Sequence, residues 1–163
     1  MTTRAVAARA GLPHGAVSYH FRGKQELLTE AALHTVEEAF PLSDVEALEN
    51  LADFVGLFEA WVGGDQGAVD PVMAAVGVEA MLEAERNPAL RTRLADTLRT
   101  YRQALADVAR AAQGVGSVSA AASPAGLAAL LVAAGDGLFL HARLDPDFDS
   151  AEAVAALRAL VAG

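Results

Sequence analysis

Within the first 28 residues four cations, Arg4, Arg9, Arg22 and Lys24, stand against Glu26 alone, interleaved with Thr3, His14, Ser18, Tyr19 and His20. These side chains hydrogen-bond phosphate oxygens and base edges, and in this density they point to nucleic-acid contact rather than catalysis. The rest of the chain reverses the sign, with eight cations against twenty anions, so a net charge of −9 conceals an end of +3 and a body of −12. That asymmetry suits a small DNA-reading part on a body that avoids DNA. Other chemistry is poorly supplied. His14, His20, His34 and His141 are scattered without a second ligand at helix-face spacing, the chain has no cysteine, and it shows no glycine-rich phosphate loop. Asp136 and His141, five apart, do not share a helix face and make no acid-base pair. We therefore expect no metal, no cofactor and no enzyme activity.

The segment that must position the basic residues, Thr3 to Lys24, reads as a helix, a glycine turn and a second short helix. Ala7 lets the helices cross closely, Gly11 supplies the positive φ that ends the first, and Leu12 and Val17 fill the angle between them. A helix-turn-helix docks its second helix in the major groove, which makes Pro13 to Tyr19 the candidate reading surface.

The whole chain reads as all-α. It is alanine-rich, 53% hydrophobic and without a strand pattern or an internal repeat. Leu27, Leu28, Ala31, Ala32, Val36 and Phe40 keep helical spacing up to Pro41, so a connector helix joins a headpiece, residues 1–42, to a body, residues 43–163. Leu48, Leu51, Val55, Phe58 and Val62 mark one body helix. Asp70-Pro71, Asn87-Pro88 and Ser123-Pro124 each set a capping side chain before a proline at the first helical position. The helix from Pro88 should end near Gly114, and the apolar one from Pro124 near Arg143. Asp149 with Glu152 resembles a capping box for a last helix carrying Val154, Leu157 and Val161. The apolar run Ala125 to Ala134 is too short to span a membrane and the N-terminus lacks a secretion pattern, so we expect a soluble cytoplasmic protein without membrane contact.

The helix-turn-helix, with Val17-Ser18-Tyr19-His20-Phe21 followed by Lys24 and Leu27-Leu28, resembles the tetracycline-repressor-like (TetR) family of bacterial transcriptional regulators. EAERNPALRTRL is similar to that family's helix junction, and AAGDGLFLHARLDPDFD to its penultimate helix and following turn. The resemblance implies that His14, Gly15, Ala16 and Ser18 face bases while Thr3, Arg4, Tyr19, His20 and Lys24 approach phosphates. Ser18 departs from the commoner tyrosine of the family; its hydroxyl suits either a base edge or a phosphate, and Gly15 and Ala16 allow apolar contact with thymine methyls. Phe21 reads as headpiece packing, Tyr19 equally as packing or contact, and His20 also as a helix-end cap. Family members carry a further helix ahead of the segment matching Thr3 onward. Without it Val6, Leu12, Val17 and Phe21 would lose partners, at roughly 1 kcal/mol or more each, and we expect a misplaced start or a shortened chain.

The resemblance further implies a homodimer whose last two helices form a four-helix bundle with their partners. In Ser123 to Arg143, Ala128, Ala129, Ala133, Ala134, Gly135 and Gly137 permit close approach, and Leu130, Leu131, Leu138 and Leu160 supply area to bury; intrachain packing is the plainer use of the same face. An inducer site in the body is implied as well. Phe58, Trp61, Met73, Met81 and Tyr101 are candidate walls, with Glu79, Glu83, Arg102 or His141 as polar anchors, although each also reads as ordinary core or solvated face. The leading expectation is a ligand-responsive repressor released from a palindromic operator by a small apolar or amphipathic molecule. The alternative is a dimeric helical small-molecule-binding module that no longer reads DNA.

Overall fold

A computed structural model of the chain describes residues 2–39, 41–62 and 71–161, and every regular element among them is an α-helix. Helix α1 (Thr3–Arg9) starts under Thr2, whose Oγ1 accepts the Ala5 amide at 3.2 Å. It stops at Gly11, where φ is +67° and two backbone bonds close the end: Leu12 N to Ala7 O at 2.9 Å and Gly11 N to Ala8 O at 3.2 Å. That pair is a Schellman closure, which needs a left-handed residue at the position glycine occupies. Helix α2 (His14–His20) packs on α1 with Ala7 and Val17 buried. Leu12 departs from expectation. The small side chains of Ala7 and Val17 suffice to close the angle, and Leu12 stands over the turn with 52% of its surface exposed.

Helix α3 (Lys24–Ala39) covers the span read as a connector, although Phe40 lies outside the described residues. A short helix, α4 (Leu42–Glu46), follows Pro41 and buries Val45; five residues give too little periodicity to announce it, and the sequence placed a break there. Helix α5 (Leu51–Val62) begins after Asn50, whose Oδ1 accepts the Asp53 amide at 3.0 Å. Helix α6 (Pro71–Ala84) starts at the expected proline, and its proposed cap Asp70 lies outside the described residues. Helices α7 (Pro88–Gly114), α8 (Pro124–Leu144) and α9 (Ser150–Val161) begin where their caps predict. Asn87 accepts from Leu90 N at 3.2 Å, Ser123 from Gly126 N at 3.3 Å, and Asp149 from Glu152 N at 2.8 Å.

Helix α7 is the axis of the body, about 40 Å long at 1.5 Å per residue. Its first half sets Leu90 and Leu94 against Ala32 and Leu33 of α3 and Ala80 and Ala84 of α6. Its second half sets Leu105, Ala106 and Ala109 against Val45, Leu51, Phe54, Ala128 and Leu131, with Leu157 and Val161 of α9 packed on the outside. Helix α8 is long and apolar enough to cross a membrane by length and composition, which corrects the expectation drawn from Ala125–Ala134 alone. The helix runs on through Gly135, Asp136 and Gly137 to Leu144 and carries charges at Asp136 and Arg143. It also lies on α7, with Ala128, Leu131 and Gly135 buried inside the protomer. Those three were expected at a seam between subunits and instead serve the core, while Leu130 on the other side is 69% exposed.

Candidate nucleic-acid interface

Helix α2 turns Val17 into the headpiece and leaves Gly15, Ser18, Tyr19 and His20 in solvent, with Ala16 half-buried. The side chain of His14 lies outside the described residues. Tyr19 is 85% exposed and meets the His20 ring edge-on at 5.1 Å, so its phenol points to solvent rather than packing the headpiece. Phe21 is half-buried, as expected of a packing residue.

Beside this surface the start of α1, the end of α2 and the start of α3 converge on a cleft of about 450 Å³. Thr2, Thr3, Ser18, Phe21, Arg22, Gly23 and Lys24 line it. Of the anticipated DNA contacts, the cleft gathers Thr3, Ser18 and Lys24; Arg4, Gly15, Ala16, Tyr19 and His20 lie outside its lining. Thr2 and Arg22 belong to the cleft and escaped the sequence reading, which used Arg22 only in the charge count. Glu26 accepts the Arg22 amide at 2.6 Å through Oε2, which ties the local anion to the entry of α3. The side chains of Arg22 and Lys24 have no ion-pair partner among the described residues. Two cations, three hydroxyls and the positive end of a sixteen-residue helix make a place where a phosphate oxygen is well met.

Behind the headpiece, α3 is clasped to α6 and α7 by three polar links. Gln25 donates to Glu83, Asn87 Nδ2 donates to Thr29 Oγ1 at 3.2 Å, and Arg93 forms an ion pair with Glu30 that raises the guanidinium pKa. Thr29 is buried, whereas the other two links are exposed. Glu83, a candidate ligand anchor, is thus engaged with Gln25.

Farther out, a groove of about 790 Å³ opens where α4, α7 and α8 meet. Ala104, Ala106, Val108, Ala125 and Ala129 give it an apolar floor, and Glu46, Arg99, Thr100, Arg102, Gln103 and Asp107 give it a polar margin. Arg99 is paired with Asp96. Asp107 is held by Arg110, whose hydrogen bond lowers the carboxyl pKa, and by Gln103. Arg102 and Glu46 remain as the margin's cation and anion without an ion pair among the described residues. Of the candidate ligand residues, the groove takes Arg102. Tyr101 packs against the far cluster instead, with its phenol pKa raised first by burial and then by Glu37 and Asp44. Met81 is 48% exposed on α6, Glu79 is exposed, and His141 lies against Phe148 at 5.5 Å between ring centres. The side chains of Phe58, Trp61 and Met73 lie outside the described residues.

Residues 1–31 match the family model for bacterial regulatory proteins of the tetR family, and residues 56–163 match that for the C-terminal part of BetI-type transcriptional repressors. No curated protein and no solved structure matches the chain.

Proposed function

The chain belongs to the tetR family of bacterial regulatory proteins, with a body of the BetI-type repressor class, and from that premise we propose a ligand-responsive, dimeric repressor. The observation that carries this reading is the cleft of Thr2, Thr3, Ser18, Arg22 and Lys24 at the foot of an exposed second helix. With α2 in a major groove, Ser18, Gly15, Ala16 and His14 read base edges. Thr3, Arg4, Tyr19, His20 and Lys24, joined by Thr2 and Arg22, hold phosphates and fix the register. The protein works in the cytoplasm, with residues 1–42 as reader and connector and 43–163 as the sensing and pairing body.

Two copies pair through the exposed apolar sides of α8 and α9, where Leu130, Leu140, Leu144 and Leu160 stand in water in the single protomer. A palindromic operator then presents one half-site to each headpiece. The inducer is a small amphipathic molecule in the groove of α4, α7 and α8, with its apolar part on the alanine floor and a polar group on Arg102 or Glu46. It binds better to the arrangement in which α3 has shifted against α7, and so lowers operator affinity by the same factor by which operator lowers its own.

Selection from an operator library at two salt concentrations tests the reading. A palindrome should be enriched and its affinity should fall steeply with salt. Selection with no palindrome would leave a helical ligand-binding module that does not read DNA.

A further inference from the structure

Beyond residue 28 the chain carries eight cations, all arginines, against twenty carboxylates. Seven of these arginines are exposed, and Arg102 alone is half-buried. Four of the exposed ones have a carboxylate partner: Arg93 with Glu30, Arg99 with Asp96, Arg110 with Asp107 and Arg158 with Glu59. A fifth, Arg143, lies over the Phe139 ring. The arginine with the least water around it thus has no counter-charge among the described residues, although a partly desolvated cation gains more from one than an exposed cation does.

Arg102 stands at the margin of the groove of α4, α7 and α8, one turn before Ala106, which is buried in the floor. Ala125 and Ala129, one turn apart on α8, line the same floor with nothing larger than a methyl group, which leaves an apolar trough beside the guanidinium. Other donors of the margin are already engaged. Thr100 Oγ1 donates to Asp96 O, Arg99 Nε to Ala95 O and Gln103 Nε2 to Asp107 Oδ1, each at 3.1 Å. Glu46, at the end of α4, is exposed, and water screens whatever charge would pair with it there. Arg102 is left as a donor fork with no hydrogen bond of its own among the described residues.

A planar fork of N–H groups beside an apolar trough is complementary to an amphipathic anion. The guanidinium takes two acid oxygens side by side, and the alanine floor takes the apolar body. One free guanidinium near Glu46 balances a single negative charge, which a carboxylate carries and a phosphate monoester at neutral pH exceeds. We propose that the groove binds an amphipathic carboxylic acid as its carboxylate, with Arg102 as the residue that selects the anion. The inference rests on the reading of this groove as the inducer site and narrows that reading from either sign of charge to one.

The test is calorimetric titration of the full chain, without DNA, with three probes that share one alkyl chain: decanoate, decanol and decyltrimethylammonium. Decanoate should bind about tenfold more tightly than decanol, which lacks the charge-assisted pair, and the ammonium most weakly, because it meets a like charge. Arg102→Gln should level decanoate with decanol, and Arg102→Glu should put the ammonium ahead of decanoate. Glu46→Gln should tighten decanoate by removing a like charge from the margin. Decanoate no tighter than decanol on the wild type would overturn the inference. So would an order unmoved by Arg102→Gln, which would make the Arg102 stem a cover for apolar surface and nothing more. An ammonium bound most tightly to the wild type, and released by Glu46→Gln, would assign the groove to Glu46 and overturn the inference as well. Ala129→Phe fills the trough from the exposed side of α8 and should abolish binding of all three probes. No binding by any probe, or binding unchanged in Ala129→Phe, would instead defeat the reading of the groove as a ligand site, and the inference with it.

Discussion

In α1 and α2 the buried apolar side chains are Ala7 and Val17, whereas α7 alone buries Leu90, Leu94, Leu105, Ala106, Ala109 and Ala112. The headpiece is shaped by local backbone bonds, the Thr2 cap and the closure at Gly11, and it spends its larger side chains, Tyr19 above all, on solvent. The body is shaped by apolar area withdrawn from water along one long helix. Substitutions in the body should therefore be felt as stability, and substitutions in the headpiece as DNA affinity.

The largest effect should come from Leu105→Ala. The side chain is fully buried in the far cluster, and the loss should be about 2–5 kcal/mol by urea unfolding. Gly11→Ala comes next. An alanine forced to φ +67° costs about 1–2 kcal/mol, which should appear as faster hydrogen exchange in α1 and α2 and weaker operator binding, with body unfolding unchanged. If Gly11→Ala lowered global stability as much as Leu105→Ala, the two regions would not be held by different means. Asn87→Ala removes the α7 cap and the link to α3, and it should cost about 1 kcal/mol while altering how strongly inducer lowers operator affinity. Lys24→Ala should leave unfolding unchanged, weaken all DNA alike and reduce the slope of log affinity against log salt by about one. The smallest effect belongs to Leu12→Ala, within about 0.5 kcal/mol, because half of that side chain is already in water.

Where a helix announced itself by a cap, the sequence located it well: Asn87, Ser123 and Asp149 all bond the amide three residues on. Orientation about the axis was harder. Helix α8 is apolar on nearly every side, so periodicity could not say that Ala128 and Leu131 turn inward while Leu130 turns out. The cleft beside α2 was half visible. Thr3, Ser18 and Lys24 stood out by type, whereas Thr2 drew no reading and Arg22 looked like one charge among several. The clasp on α3 could not be read at all, because Gln25 with Glu83 and Thr29 with Asn87 join residues 58 apart; Asn87 stood out only as a cap and Glu83 only as a ligand anchor, and Gln25 and Thr29 looked like ordinary solvated positions.

Since α7 runs unbroken through both clusters, it acts as a lever as well as a core element. Arg102 is fifteen residues from Asn87, about 22 Å along the helix. A tilt of about 5° near Arg102 would carry Asn87 about 2 Å, within the range of helix shifts that switch packed proteins. That displacement is enough to part Asn87 Nδ2 from Thr29 Oγ1, now at 3.2 Å, while the Asn87 Oδ1 cap travels with its own helix and stays closed. Such a tilt thus opens one of the three polar links that clasp the connector without fraying the rod that opens it.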